Sequence, residues 1–192
     1  MPVDKKYSDF VKSLARSGEN RTFLNSDEDK AVDVMVNLFH VSNEEVRIFA
    51  GNLCNNVGNN SEYIIALSEF IERGGKLYIL LNDFNEEMAK TSNLYKRLAY
   101  YISISEDPKD PKDPNIKIKT TTAKPWLSSD SEKKPVHFAV GDKKAYRIET
   151  DTEHRTAICN FNNPPVAEGA AAFFDTLFNR NDSQAVDLNN LF

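Results

Sequence analysis

The chain has 192 residues, 40% of them apolar and 28% charged, with a net charge of −5. That length makes one medium domain, because two separate cores would each be small. The balance is that of a soluble globular protein, and the acidic surplus argues against coating nucleic acid with the whole surface, leaving a local basic groove open. No apolar run approaches the roughly 20 residues that a bilayer span needs. The N-terminus, MPVDKKYSDF, has no apolar stretch behind its basic pair and does not read as a secretory leader. Two cysteines, Cys54 and Cys159, are too few for a disulfide framework, so a reduced, cytoplasmic setting is expected, without membrane contact.

In chain order, Phe10, Val11 and Leu14 stand at helical spacing in a segment that ends at Gly18. Asn25 or Ser26 can cap a second helix. Asp27, Glu28 and Asp29 suit its positive end, and its wide apolar arc (Val32, Met35, Val36, Leu38, Phe39) predicts burial. The period then changes. Val46–Ala50, closed by Gly51, reads as a buried strand, and the Asn-rich stretch from Asn52 to Asn60 reads as the loop after it. Ser61–Arg73 is a helix stopped by Gly74-Gly75, and Lys76–Leu81 is the next strand. Strand, helix and strand form a βαβ unit with a right-handed crossover and parallel strands. Asn85–Tyr101 is amphipathic and helical, and Glu106–Asn115, an imperfect Asp-Pro-Lys repeat, is an extended exposed linker. Ile116–Thr121 alternates with period two. Pro135–Val140 leads through Gly141-Asp142 into Lys144–Glu149 as a hairpin, and Arg155–Phe161 is a further strand. Asn163, Pro164 and Pro165 open a last helix, Val166–Phe178, whose aromatic stripe belongs to the core. The expected organisation is an N-terminal helical segment (1–25), an α/β domain (26–180) and a polar tail (181–192).

Much chemistry is excluded. The chain has no G-x-G-x-x-G, no G-x-x-x-x-G-K, no G-x-S-x-G and no H-E-x-x-H. His40, His137 and His154 are scattered and the cysteines lack zinc spacing, so neither a metal nor a cofactor is expected. Cys54 reads either as a reactive thiol or as a buried inert one.

One constellation has a shape. His137 opens the hairpin strand, and Asn160 ends the following strand in Ile-Cys-Asn-Phe-Asn-Asn-Pro. With the order of elements over residues 28–180, this resembles the phospholipase D superfamily, whose half-domain carries His-x-Lys, four residues, Asp, then a Gly-Ser-x-Asn strand before a helix. The resemblance implies a mixed sheet flanked by helices, with His137 as nucleophile and Asn160 as the asparagine of the Gly-Ser-x-Asn strand. The chain departs from the pattern at Ala139 in the lysine position, Lys144 in the aspartate position, and Ala157-Ile158 in place of Gly-Ser. In that family one histidine attacks phosphorus, a second protonates the leaving group and lysines hold the phosphoryl oxygens. A working site here would therefore need a homodimer bringing two copies of His137 together. Lys143, Lys144 and Arg147 are candidates to restore the positive charge, although alternation puts the two lysines on opposite strand faces. Arg147 and Glu149 share a face, either as a structural ion pair or as a phosphate contact.

Three functions follow from these residues. The first is a catalytically degenerate phospholipase-D-like domain serving as a binding or assembly subunit in a bacterial nucleic-acid system. The second is an active homodimeric phosphodiesterase or nuclease using His137. The third is an adaptor whose tail residues Leu188, Leu191 and Phe192 fill a pocket on a partner protein, unless they fold back on their own domain. Lys117 and Lys119 share a strand face, with Lys124 nearby, as a basic strip for nucleic-acid phosphates.

Overall fold

Hydrophobic runs buried on both faces mark the centre of a parallel sheet, and the computed structural model, which describes residues 5–105, 115–128 and 133–192, places them there. The first half of the chain runs α1 (Lys5–Ser17), β1 (Phe23–Asn25), α2 (Glu28–Val41), β2 (Glu45–Ala50), α3 (Ser61–Glu72) and β3 (Lys76–Leu81). It continues with α4 (Glu86–Thr91), α5 (Asn93–Ser105), β4 (Ile116–Thr120), β5 (Trp126–Ser128) and β6 (Lys133–Pro135). The last part holds β7 (His137–Gly141), β8 (Ala145–Asp151), β9 (Thr156–Asn160), α6 (Pro164–Phe178) and β10 (Gln184–Ala185).

Eight strands form one mixed sheet in the order β1-β9-β8-β7-β2-β3-β4-β10, and β5 pairs with β6 apart from it. Strands β2, β3 and β4 are parallel, and β7 joins β2 antiparallel to begin the run of hairpin-connected strands. Side-chain alternation divides the core. Val46, Ile48 and Ala50 of β2 pack into the larger cluster beneath α1, α2, α3 and α5, whereas Phe49 packs with Phe138 and the Phe174–Phe178 stripe of α6. Arg47, on the α6 side, forks onto Asp175 (2.8 and 3.2 Å) and ties that helix to the sheet.

The β7–β8 hairpin fixes the site and is itself fixed by its turn. Asp142 and Lys143 both have positive φ (48° and 53°), the primed turn geometry that matches strand twist. The Asp142 carboxylate accepts the backbone N–H groups of Asn43, Glu44 and Glu45 at 2.7–3.0 Å, which pins the turn to the entry of β2.

Several elements differ from expectation. Residues 23–25, placed in the N-terminal helical segment, form the edge strand β1, too short for a periodicity signal. The helix expected over Asn85–Tyr101 is two helices, because buried Ser92 turns extended and gives its hydroxyl to Asn59 Oδ1, which also accepts the Asn93 N–H. Most of the Asp-Pro-Lys repeat lies outside the described residues. The tail folds back on its own domain: β10 pairs with β4, Leu188 is 1% exposed, and Leu191 packs against the core. This corrects the reading of Leu188 as partner-binding, since it is buried in the chain's own core, while Leu191 is partly buried against that core and Phe192 stays half-exposed. No helix among the described residues is long and apolar enough to cross a membrane.

A Cβ on Gly141 would lie 2.1 Å from Ser42 Oγ, which is buried and bonded to the Leu38 carbonyl, and 3.3 Å from Leu38. Gly141→Ala is therefore expected to cost about 1–3 kcal/mol through overpacking. Urea unfolding measures this, and an unchanged midpoint would contradict the placement of the hairpin against α2.

Candidate active site

The hairpin register pairs His137 with Glu149 and Ala139 with Arg147, so all four share the sheet face under α2. The rows continue to Ala157 and Asn25 on one level, and to Cys159 and Phe23 on the next. Small residues at 139 and 157 leave room above the strands for the Arg147 guanidinium. There the side chains form one network. His137 Nδ1 lies 3.3 Å from Glu149 Oε2, and Arg147 Nη2 donates to Glu149 Oε1 at 3.0 Å, with Arg155 Nη1 3.7 Å away from the same oxygen. Arg147 Nε donates to Asn25 Oδ1 and its Nη2 also to the Arg155 carbonyl, which Asn25 Nδ2 bonds as well.

Glu149 and Arg147 are only 4% and 7% exposed. Burial alone would push the Glu149 carboxyl up, but the His137 imidazole beside it and the charges of Arg147 and Arg155 outweigh it and hold the group below the ordinary glutamate range. The carboxylate therefore stays ionised and orients the imidazole. His137 Nε2 has no hydrogen-bond partner among the described residues and lies beside Gly51, whose added Cβ would sit 4.0 Å from it.

The imidazole borders a cavity of about 360 Å³. Its polar lining includes His137, Glu149, Arg147, Arg155 and Asp83, and its apolar lining includes Met35, Ile48, Leu53, Val57 and Tyr63. The Asn-rich loop after β2 closes one side and is held in shape from within. Leu53 has positive φ (58°), Asn55 Oδ1 accepts the Gly58 N–H, and Tyr95 Oη donates to the Asn52 carbonyl. Burial raises the thiol pKa of Cys54 and pushes that of Cys159 up to about 12, so both sulfurs are protonated and weak nucleophiles at neutral pH. No cluster able to hold a metal ion occurs among the described residues.

Of the residues picked from the sequence, the structure brings His137 and Arg147 together. Asn160 does not meet His137. It pairs with Tyr146, which faces Val140, three positions along β7 and about 10 Å of strand away. Its amide is spent on Asn20 and Thr22. Lys144 lies in the turn at the far end of the hairpin, where its backbone N–H donates to the Gly141 carbonyl. Lys119 gives its ammonium to the Phe178 carbonyl at the end of α6 and stacks 4.4 Å over the Phe178 ring, so it is committed to closing the core. Lys117 shares that α6 side of β4, away from His137. Arg155, Asn25 and Tyr63 were not singled out for the site. Glu149 was paired with Arg147, but its contact with His137 went unseen, although counting back from the three-residue turn puts 149 opposite 137.

No protein-family model and no curated protein matches the chain, but solved structures do. Nuc from Salmonella typhimurium, a phospholipase D family member, is 13% identical with a TM-score of 0.51, over 86% of this chain and 99% of its own. NucT from Helicobacter pylori is 13% identical with a TM-score of 0.54, over 88% and 100%. The archaeal chromatin protein TrmBL2, whose structure shows a mode of DNA binding, is 14% identical with a TM-score of 0.52, over 95% and 61%. The fold is that of the phospholipase D superfamily. Within this phospholipase D fold, His137 opens the hairpin strand as the sequence resemblance implies, and the position of the missing lysine, Ala139, lies directly opposite Arg147.

Because the folded Glu149 titrates below its unfolded value, its ionised form stabilises the fold above the ordinary glutamate range, and that contribution is lost as pH falls through the lowered value. Glu149→Gln is expected to cost about 3–5 kcal/mol at neutral pH by leaving Arg147 buried and unpaired. It should also remove part of the acid-side loss of stability below about pH 4. Denaturant unfolding at neutral and acid pH checks both, and parallel pH profiles for the two proteins would contradict the assignment.

Proposed function

We propose that the chain is a phosphodiesterase in which His137 is the nucleophile. The observation that carries this reading is the His137–Glu149 pair at the cavity edge. An ionised carboxylate holds Nδ1 in hydrogen-bond range, and Nε2 is left without a partner among the described residues. A carboxylate on Nδ1 favours the tautomer whose Nε2 lone pair is available. Nε2 attacks phosphorus, the bond to the leaving oxygen breaks, and that oxygen takes from solvent the proton that a second His137 of the expected homodimer would otherwise supply. Water then attacks the phosphohistidine and returns the free imidazole.

Arg155 is the residue that meets the phosphoryl oxygens. Its side chain is 22% exposed and its guanidinium stands 3.7 Å from Glu149, a looser tie than Arg147 makes. It supplies, from the turn after β8, part of the charge absent at Ala139. The DNA binding of the archaeal neighbour supports nucleic-acid phosphodiesters as the substrate class.

Ala139 itself favours a second reading, in which the same cavity binds a phosphate ester without cleaving it. Hydrolysis of bis(p-nitrophenyl) phosphate separates the two. A working site gives turnover that His137→Ala lowers by about 10² to 10⁴, while Arg155→Ala raises KM more than it lowers kcat. Turnover that survives His137→Ala would overturn the nucleophile, and binding without turnover would establish the second reading.

A further inference from the structure

Hydrolysis of the phosphohistidine needs an acceptor for one proton of the attacking water, and few groups in the cavity can take it. Burial keeps the Cys54 thiol and the Tyr63 phenol protonated. The Glu149 carboxylate is 4% exposed and shared by His137, Arg147 and Arg155. Asp83 lines the same cavity but is exposed, and its carboxylate has no hydrogen-bond or ion-pair partner among the described residues.

The backbone fixes where that carboxylate stands. Just past the paired ends of β2 and β3, the Asn82 N–H donates to the Ala50 carbonyl and the Asp83 N–H to the Gly51 carbonyl, both at 3.1 Å. This ties Asp83 to Gly51 at the carboxyl ends of the parallel strands, where open α/β sheets bind their ligands. Gly51 keeps the space above it open. A Cβ added there would meet His137 Cε1 at 3.6 Å, His137 Nε2 at 4.0 Å and Asp83 Cβ at 4.0 Å, with nothing nearer. One open point thus borders both the imidazole and Asp83, and Asp83 Cβ is at most twice 4.0 Å from Nε2.

That interval suits a general base. Water poised for attack stands about 3–3.5 Å from phosphorus, and its base stands about 2.6–3.2 Å from the water. A phosphoryl group carried on Nε2 over Gly51, with the water beyond it, reaches the Asp83 carboxylate. An ionised carboxylate accepts hydrogen bonds and donates none, so it is fitted to take a proton from water and not to give one to the leaving group.

We propose that Asp83 is the catalytic general base of the second step. The water oxygen bonds to phosphorus as the P–Nε2 bond breaks, the electron pair of that bond returns to Nε2, and the water's proton passes to an Asp83 oxygen and from there to solvent. This rests on the phosphodiesterase reading above and adds the group that frees His137 from its intermediate.

The test is the time course of nitrophenolate release from bis(p-nitrophenyl) phosphate by the full chain and by Asp83→Asn, with the intact mass of each protein during turnover. Asp83→Asn should release about one nitrophenolate per site in a fast phase and then turn over about 10² to 10⁴ times more slowly than the parent. It should accumulate chains carrying one p-nitrophenyl phosphoryl group, an added mass that disappears when His137→Ala is combined with it. The fast phase itself shows that the variant's site is folded. Unchanged steady turnover in Asp83→Asn would overturn the assignment and return the proton to solvent or to a second His137. Loss of the fast phase together with steady turnover, or slowed turnover without the added mass, would overturn it too, because Asp83 would then act before the intermediate forms or only hold the loop. In these cases the nucleophile stands as long as the parent's turnover depends on His137. A parent with no turnover, or with turnover that survives His137→Ala, would overturn the phosphodiesterase reading and the Asp83 proposal with it.

Discussion

A single buried carboxylate organises this molecule's site. Glu149 holds His137 from the neighbouring strand through one oxygen, and through the other it meets Arg147 of its own strand and Arg155 of the turn that follows. Removing an ion from water is costly, and a buried ion cluster is weak evidence for stability in itself. It is strong evidence for register. A one-residue slip of β8 against β7 would send Glu149 and Arg147 together to the α6 side and leave His137 without its carboxylate. The same network reaches Asn25 on β1, so one charge centre spans four strands.

The cavity follows from what surrounds that centre. Ala50, Gly51, Ala139 and Ala157 keep the strands low where a larger side chain would fill the space, and the loop from Asn52 to Asn60 is held off by its own side-chain caps. On the opposite face the large aromatic residues of β2, β7 and α6 pack against one another. The cavity thus lies on the α2 face with His137, Arg147 and Glu149, whereas Arg47 and Lys119 serve the α6 face, where they tie that helix to the sheet. Beside Ala139, Arg147 of the next strand and Arg155 of the turn after it bring positive charge to the lining of the cavity.

What could be read beforehand depended on how local the cause was. The βαβ unit was legible because each of its parts carries its own signal: the apolar runs Val46–Ala50 and Lys76–Leu81, the amphipathic α3 and the glycines that stop it. The hairpin was legible from Gly141-Asp142. Strand β1 was not, because three residues show no period and Asn25 is inward for the sake of Arg147, a partner 122 positions away. The break at Ser92 was hidden for a similar reason, since Asn59 supplies it from another loop. His137 was singled out by its place in an ordered set of elements, and Asn160, which matched the family's spacing loosely, sits at another level of the sheet. Arg155 and Tyr63 carry no sequence pattern; only the folded cavity brings them to His137. The tail was ambiguous in sequence, because Leu188 suits a foreign pocket as well as its own core.

The central claim is that Glu149 holds His137 in the tautomer that leaves Nε2 bare, and nitrogen-15 NMR of the histidine ring tests it most directly. With the ring neutral, the account requires the proton on Nδ1 and an unprotonated Nε2 resonance, with that preference lost in Glu149→Gln. A proton on Nε2 with a bare Nδ1, or a tautomer balance indifferent to the loss of the carboxylate, would contradict it.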